Sequence, residues 1–169
     1  MLLLLSCVSA LPDSDDALLE AFIALHSPIY DAYALADDAD ALHDLLAGRF
    51  SGEALTREYV EHFLALSRLR EQQTTIDIER VEYADIAVLS RSGRDARMAA
   101  NWTVQGTITH RGHSHIRTNR YAAIYTLSAT TTGLRIINTR LKNLERLTGR
   151  LSTGDRGGLT PLELLEETP

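Results

Sequence analysis

Three of the six histidines of this chain fall within six residues, at His110, His113 and His115. Strand-like runs flank the cluster, and Arg111-Gly112 at its centre is typical of a two-residue hairpin turn. Such a turn brings the three imidazoles together at one end of a two-stranded ribbon. Neutral imidazoles bind Zn or Cu, with a carboxylate or water as the fourth ligand. His110, His113 and His115 are therefore a candidate metal site.

Two other interpretations of this histidine cluster stay open. In the first, one histidine is a general base whose pKa is set by burial and by the neighbouring Arg117. In the second, His110 and His113 lie exposed at the hairpin tip without a function, and His115 makes a structural hydrogen bond. The spacing does not decide between them, because it identifies no carboxylate that would orient an imidazole.

The same hairpin predicts a stripe of mixed side chains on one face of the sheet, because side chains alternate between the two faces. An apolar floor with a few convergent polar groups is typical of a ligand pocket. Arg117 favours an anionic ligand, although an internal ion pair with an acidic residue of the helices would satisfy it equally well. The predicted ligand-binding residues are Trp102, His115, Arg117, Asn119 and Tyr121.

The spacing of apolar residues changes along the chain from a helical to a strand-like period, and it predicts the elements that position this hairpin. Helical spacing of apolar residues predicts helices after Asp13, from Ser27-Pro28 onward, and over about 53–70. Alternating β-branched residues then predict strands over about 74–89, 96–110, 113–128 and 134–147. Helices followed by long antiparallel strands predict an α+β fold, with N-terminal helices packed on one face of a curved four-stranded antiparallel sheet.

The other histidines and the tyrosines of the helices are assigned to packing rather than to a site. His26, His43 and His62 lie on predicted helices and are expected at the surface or in packing contacts. Tyrosines on apolar helical stripes belong more often to a core than to a pocket, and this assignment covers Tyr30, Tyr33 and Tyr59.

The two ends of the chain differ in composition from the rest. Residues 1–12 are apolar, and Val8-Ser9-Ala10 resembles a signal-peptidase site. Leu4-Leu5-Ser6-Cys7 also resembles a lipobox, which would anchor the protein to a membrane through a lipid on Cys7. We expect an exported protein, periplasmic or lipid-anchored, rather than a cytoplasmic one. The folded domain then spans 13–147, followed by a polar linker and a short C-terminal helix over 148–169.

Charge and cysteine content limit the function classes. The chain has 169 residues, one cysteine and a formal net charge of -6, which argues against a nucleic-acid partner and excludes an intrachain disulfide. Residues 1–66 carry 12 acidic residues and 2 arginines, whereas the strands are rich in arginine. Two packed layers of opposite charge are the simplest interpretation of this division.

The order of elements over about residues 14–147 resembles that of the NTF2-like (SnoaL-like) superfamily. The stretch from Trp102 to Tyr121 reads W-x-V-x-G-x3-H-x-G-H-x-H-x-R-x-N-x-Y and is similar to a group of uncharacterised bacterial exported domains of that superfamily. Arg111 stands where that group has Trp. The resemblance implies a cone closed by helices over a curved sheet, and it brings no established activity.

Three functions are compatible with these features. We favour an exported binding domain that holds a small ligand or a metal ion in the cone. A SnoaL-like isomerase or hydrolyase with a histidine base is the second hypothesis. The third is an accessory domain that forms a homodimer through the threonine-rich face of the sheet, with a structural histidine cluster.

Overall fold

The computed structural model of the protein describes residues 10–35 and 37–147. Four helical segments precede four strands, so the predicted α+β class is confirmed. The segments are α1 Asp15–His26, a 3₁₀-helix Ser27–Ala34, α2 Ala39–Ala47, α3 Glu53–Glu71, β1 Thr74–Ser92, β2 Asp95–His110, β3 His113–Thr130 and β4 Gly133–Leu147. The signal-peptidase, lipid-anchor and C-terminal-helix predictions lie outside the described residues. No helix in the described ranges combines the length and apolarity needed to cross a membrane.

Two of the helices begin at side-chain caps that the sequence encodes locally. Ser14 accepts a hydrogen bond from the Ala17 amide at 3.1 Å, and Asp38 accepts one from the Ala41 amide at 2.9 Å. The helix predicted from Ser27-Pro28 onward is a 3₁₀-helix and not a separate α-helix. Ser27 follows α1 directly and opens a 3₁₀-helix without a side-chain cap. Pro28, which has no amide hydrogen and crowds the preceding turn, ends the regular α-helical pattern there.

The sheet is an antiparallel meander in the order β1-β2-β3-β4. Bulges interrupt the pairing of β1 with β2 at three places and that of β3 with β4 at two. Each bulge adds a residue, so the inward-facing positions of β1 are separated by two or three residues: Ile76, Ile78, Val81, Tyr83, Ile86 and Val88. Bulges increase local twist, which gives long strands the curvature that covers a core.

The helices pack on the concave face of this sheet and share one apolar core with it. Leu18 and Phe22 of α1 are fully buried, as are Met98 of β2 and Leu127 of β3. The loop between α2 and α3 is tied to the edge strand β4, because Ser51 donates to the Ile136 carbonyl at 3.1 Å. This contact holds the start of α3 beside β4 and thereby fixes one wall of the interior.

Candidate functional site

The pairing of β2 with β3 is the predicted one. His110 lies opposite His113, Gly106 opposite Arg117, and Trp102 opposite Tyr121. The turn between them has positive φ at both central residues, 47° at Arg111 and 78° at Gly112, as a type I′ turn requires. The predicted stripe therefore occupies one face of the sheet, but its residues have different surroundings along the strands.

The histidines of the stripe do not form the predicted metal site. The rings of His110 and His115 lie 5.4 Å apart in an edge-to-face contact, and His113 and His115 are exposed. Among the described residues, no group of three or more His, Cys, Asp and Glu side chains is arranged to hold a metal ion. Partial burial and the charged neighbours Arg117 and Arg146 lower the pKa of His115, and such positive charges disfavour a bound metal cation.

A partly open cavity of about 310 Å³ lies between the helices and the middle of the sheet. That volume is within the range of small-molecule sites. Trp102 and Tyr121, two of the predicted ligand-binding residues, line it. The other lining residues are His26, Ile29, Tyr30, Tyr33, Phe50, Arg57, Glu58, Glu61, His62, Ala123, Tyr125, Thr139 and Leu141.

One wall of this cavity is aromatic. The Trp102 and Tyr121 rings are stacked with centroids 5.1 Å apart, and the Trp102 indole donates a hydrogen bond to the Tyr30 hydroxyl at 2.5 Å. Tyr33 and Tyr125 complete this wall. Tyr30 and Tyr33, assigned to packing from the sequence, also pack against the core and so belong to both the core and the cavity.

His26 is buried and also lines the cavity. The sequence predicted only a surface or packing position for it. Its Nδ1 lies 2.7 Å from the Tyr83 hydroxyl and its Nε2 lies 2.7 Å from the Tyr125 hydroxyl. A neutral imidazole donates through one nitrogen and accepts at the other, so it satisfies both contacts. Burial lowers the pKa of His26 from 6.5 to about 3, which keeps the ring neutral. The i, i+4, i+8 spacing with Leu18 and Phe22 was the sequence signal for this burial.

The opposite wall is polar and comes from one stretch of α3. The Glu58 side chain is 14% exposed, and Arg57 Nη2 lies 3.8 Å from its Oε1. Burial and the nearby Glu61 raise the pKa of Glu58 to about 7, while Arg57 opposes the rise. His62 donates from Nδ1 to the Glu58 backbone carbonyl at 2.9 Å, which leaves Nε2 as the acceptor. Burial lowers the pKa of His62, so it is neutral at pH 7.

A smaller cavity of about 40 Å³ adjoins the large one across Tyr30, Tyr33 and Tyr121. Arg117 and Asn119, predicted to bind a ligand, both line it. Asn119 is buried, its Nδ2 donates to the Tyr121 hydroxyl at 3.2 Å, and its Oδ1 has no hydrogen-bond partner among the described residues. This volume holds a water or the end of a ligand rather than a whole one.

The predicted ligand-binding residues are therefore divided between three places. Trp102 lines the large cavity, Arg117 and Asn119 line the small one, and Tyr121 lines both. His115 lines neither, since it is exposed at the hairpin end. The polar residues of α3, which sequence reasoning missed, are the main charged groups of the large cavity. The Glu58–His62 spacing of four residues was the available signal, because it places both on one helical face.

Comparisons with known proteins support the fold alone. No protein-family model matches the sequence, and no curated protein is significantly similar to it. Among solved structures, the intermembrane space region of the chloroplast protein ARC6 is similar, with a TM-score of 0.52 and 15% sequence identity. The match covers 77% of this chain and 98% of that one. At this identity the likeness extends to the arrangement of helices and curved sheet.

Proposed function

We propose that the protein is a binding domain that holds a small organic ligand in the large cavity. The observation that carries this proposal is a partly open cavity of about 310 Å³, with an aromatic wall from the sheet and the 3₁₀-helix and a polar wall on α3. Apolar surface supplies most of the affinity at such sites, and a few polar groups orient the ligand. Membership in the NTF2-like superfamily and export, which rests on residues 1–12, are further parts of the proposal.

Catalysis is the second candidate function, and one specific arrangement favours it. Glu58 and His62 lie on the same wall, and the hydrogen bond of His62 Nδ1 leaves Nε2 as a proton acceptor. A neutral imidazole beside a carboxyl group whose pKa is about 7 is suited to moving protons at neutral pH. An isomerase or hydrolyase would use this pair, whereas a binding domain needs it only for orientation.

Binding is tested most directly through Trp102, which is the sole tryptophan of the chain and lines the cavity. We would titrate the protein with benzyl alcohol, cyclohexanol, benzoate and benzyltrimethylammonium, and follow tryptophan emission together with saturation-transfer NMR. At least one compound is expected to bind and to change the emission. Binding by none of the four would contradict the proposal.

A matched pair of variants locates the binding. Ala123 is buried on the cavity wall, whereas its neighbour Ala122 faces the other side of the sheet. Ala123→Leu fills part of the cavity and is expected to abolish binding, while Ala122→Leu leaves it unchanged. Circular dichroism checks that both variants fold. Equal binding by both variants would place the ligand elsewhere.

The catalytic alternative is tested with the same ligands. Prolonged incubation with wild-type protein, followed by NMR, detects any chemical conversion of a bound compound. Conversion that is lost in His62→Gln but kept in His43→Gln would favour an enzyme, because His43 lies outside the cavity. Binding without conversion favours the binding domain.

A further inference from the structure

We propose that the large cavity selects an organic cation, a small ligand whose ammonium head lies between the aromatic wall and Glu58. This inference rests on the proposed binding function and names the chemistry of the ligand. It differs from the anionic ligand that Arg117 suggested in the sequence, since Arg117 lines the small cavity and not the large one.

The aromatic wall is the first support for a cation. Four tyrosines and the single tryptophan line the same space: Tyr30, Tyr33, Tyr121, Tyr125 and Trp102. The face of an aromatic ring carries negative potential and attracts ammonium groups, most strongly when water is excluded, and tryptophan is the best of these rings. Sets of several aromatic side chains around one space are the usual way in which proteins hold quaternary ammonium groups.

The charge of the opposite wall is the second support. Two carboxyl groups, Glu58 and Glu61, face one guanidinium, Arg57. The Arg57 side chain is 41% exposed, whereas that of Glu58 is 14% exposed. The more deeply placed charge is thus the carboxylate, and its attraction for a cation is less screened than that of Arg57 for an anion.

The other groups that face Glu58 bring no positive charge at neutral pH. His62 on α3 and His26 on α1 both have lowered pKa values and are neutral. From the sheet, Thr139 does not ionise, and burial raises the pKa of Tyr125 well above 10. Within the described part of the chain, Arg57 is thus the one positive charge of this wall, against two carboxyl groups, and a bound ammonium group supplies the second counter-charge.

Binding of such a cation is coupled to a proton. Without ligand, the pKa of Glu58 is raised to about 7, so the carboxyl group is partly protonated at neutral pH. An ammonium ligand favours the carboxylate, lowers this pKa and releases a proton. Binding should therefore strengthen as the pH rises through 7 and weaken below it.

The test compares choline with 3,3-dimethylbutan-1-ol, a neutral compound of the same shape in which carbon replaces nitrogen. Affinities are measured by calorimetry and Trp102 fluorescence at pH 8. Choline is expected to bind at least about ten-fold more tightly than the alcohol. At pH 6 its affinity falls by up to about ten-fold, whereas that of the alcohol does not change.

Variants of α3 assign the preference to one carboxyl group. Glu58→Gln keeps the size of the side chain and removes its charge, so it is expected to remove most of the preference for choline and its pH dependence. Glu71→Gln removes a charge at the exposed end of the same helix, away from the cavity. This variant should keep both the preference for choline and its pH dependence.

The outcomes separate this inference from the proposed function. If the alcohol binds as well as choline, and Ala123→Leu abolishes its binding, the binding function stands and the cation selectivity is overturned. If neither compound binds at millimolar concentration, the cation proposal is overturned, and the broader compound set decides the binding function. An unchanged preference for choline in Glu58→Gln would also overturn the cation proposal.

Discussion

His26 is a titratable side chain held neutral by tertiary contacts. Its two ring nitrogens meet hydroxyls of β1 and β3, and its ring lies 4.9 Å from Trp102 and 5.2 Å from Phe22, measured between centroids. Protonation would bury a charge away from water and force one nitrogen to donate where it now accepts. The unfolded chain binds this proton near pH 6.5, and the folded protein binds it only near pH 3.

We expect His26→Phe to lower the free energy of unfolding at pH 7 by about 1–3 kcal/mol, because it deprives two tyrosine hydroxyls of their partner. The loss should shrink in acid. The stability that the neutral His26 gives the folded protein is fully present above pH 6.5. As the pH falls from 6.5 towards 3, the free energy of unfolding decreases through this residue by about 1.4 kcal/mol per pH unit. Urea denaturation at pH 7 and pH 4.5 measures both effects.

Glu58 acts in the opposite direction, since its folded pKa of about 7 lies above the ordinary value of 4.5. The contribution of Glu58 to the free energy of unfolding decreases as the pH rises from 4.5 to about 7. This effect is present in both wild type and His26→Phe, so it cancels when the two proteins are compared. His43→Phe is the control, because the side chain of His43 is 53% exposed. A pH dependence that is identical in wild type and His26→Phe would show that His26 is not the group responsible.

At the scale of the elements, the contact between β1 and β2 at Gly106 has no space for a side chain on β2. A Cβ at this position would lie 2.7 Å from the Asp77 carbonyl oxygen and 3.3 Å from Ile78 Cδ1. The backbone of the neighbouring strand therefore leaves no room for a side chain at Gly106.

Gly106→Ala should therefore destabilise the protein by about 1–3 kcal/mol, because the added methyl group pushes β1 away from β2. Gly48→Ala is the matched control: its backbone has an ordinary φ of -68°, and its nearest contact to an added Cβ is 3.4 Å. We expect that control to change stability by less than about 0.5 kcal/mol. Thermal and urea unfolding of both variants measure the difference, and equal stabilities would contradict the argument.

Arg111 in the β2–β3 turn has a strained backbone conformation, and a substitution can relieve this strain. Arg111 has a φ of 47°, a conformation that asparagine adopts more readily than arginine in a type I′ turn. Arg111→Asn is expected to stabilise the protein by up to about 1 kcal/mol, as seen in urea denaturation. Gly112→Ala should destabilise the protein by about 1–2 kcal/mol, because alanine is strained at the φ of 78° found there. Beyond its chain neighbours, no atom of the described residues lies within 4 Å of the added Cβ, so a steric clash does not contribute to this loss. A gain in stability in Gly112→Ala would refute this account.

At the scale of the whole molecule, an acidic helical layer lies on an arginine-rich sheet. Arg91 of β1 joins the two layers at the start of α1. Its Nε lies 2.9 Å from Asp15 Oδ1, and its Nη2 donates to the carbonyls of Pro12 and Ser14 at 2.8 Å each. The pair is partly solvated, so the shared apolar core holds the layers together more than their charges do.

Because that core joins helices and sheet, we expect the described domain to unfold in one cooperative transition. Trp102 fluorescence reports on the sheet–helix interface, since Trp102 contacts His26 and Tyr30, while far-UV circular dichroism reports on the helices. The two urea transitions should coincide. A helical transition at clearly lower urea than the fluorescence change would mean that the layers unfold separately.

Much of the fold was predictable because its signals are local. The alternation of β2 and β3 and the Arg111-Gly112 turn determined the hairpin register without reference to the rest of the chain. The alternation of β1 did not predict its side-chain directions throughout, because each bulge shifts the inward positions by one. The 3₁₀-helix was missed since Ser27-Pro28 is equally compatible with the start of an α-helix.

The sequence by itself determined the order of helices and strands, the β2–β3 pairing and the common face of Trp102, Arg117, Asn119 and Tyr121. Only the tertiary structure decided which part of that face is enclosed. The helices cover the Trp102 end and leave His113 and His115 exposed, so the conspicuous cluster lies outside both cavities. His26, Glu58 and Trp102 come together from three elements far apart in the chain. Periodicity reports the direction of a side chain within its own element, and a cavity depends on how separate elements pack.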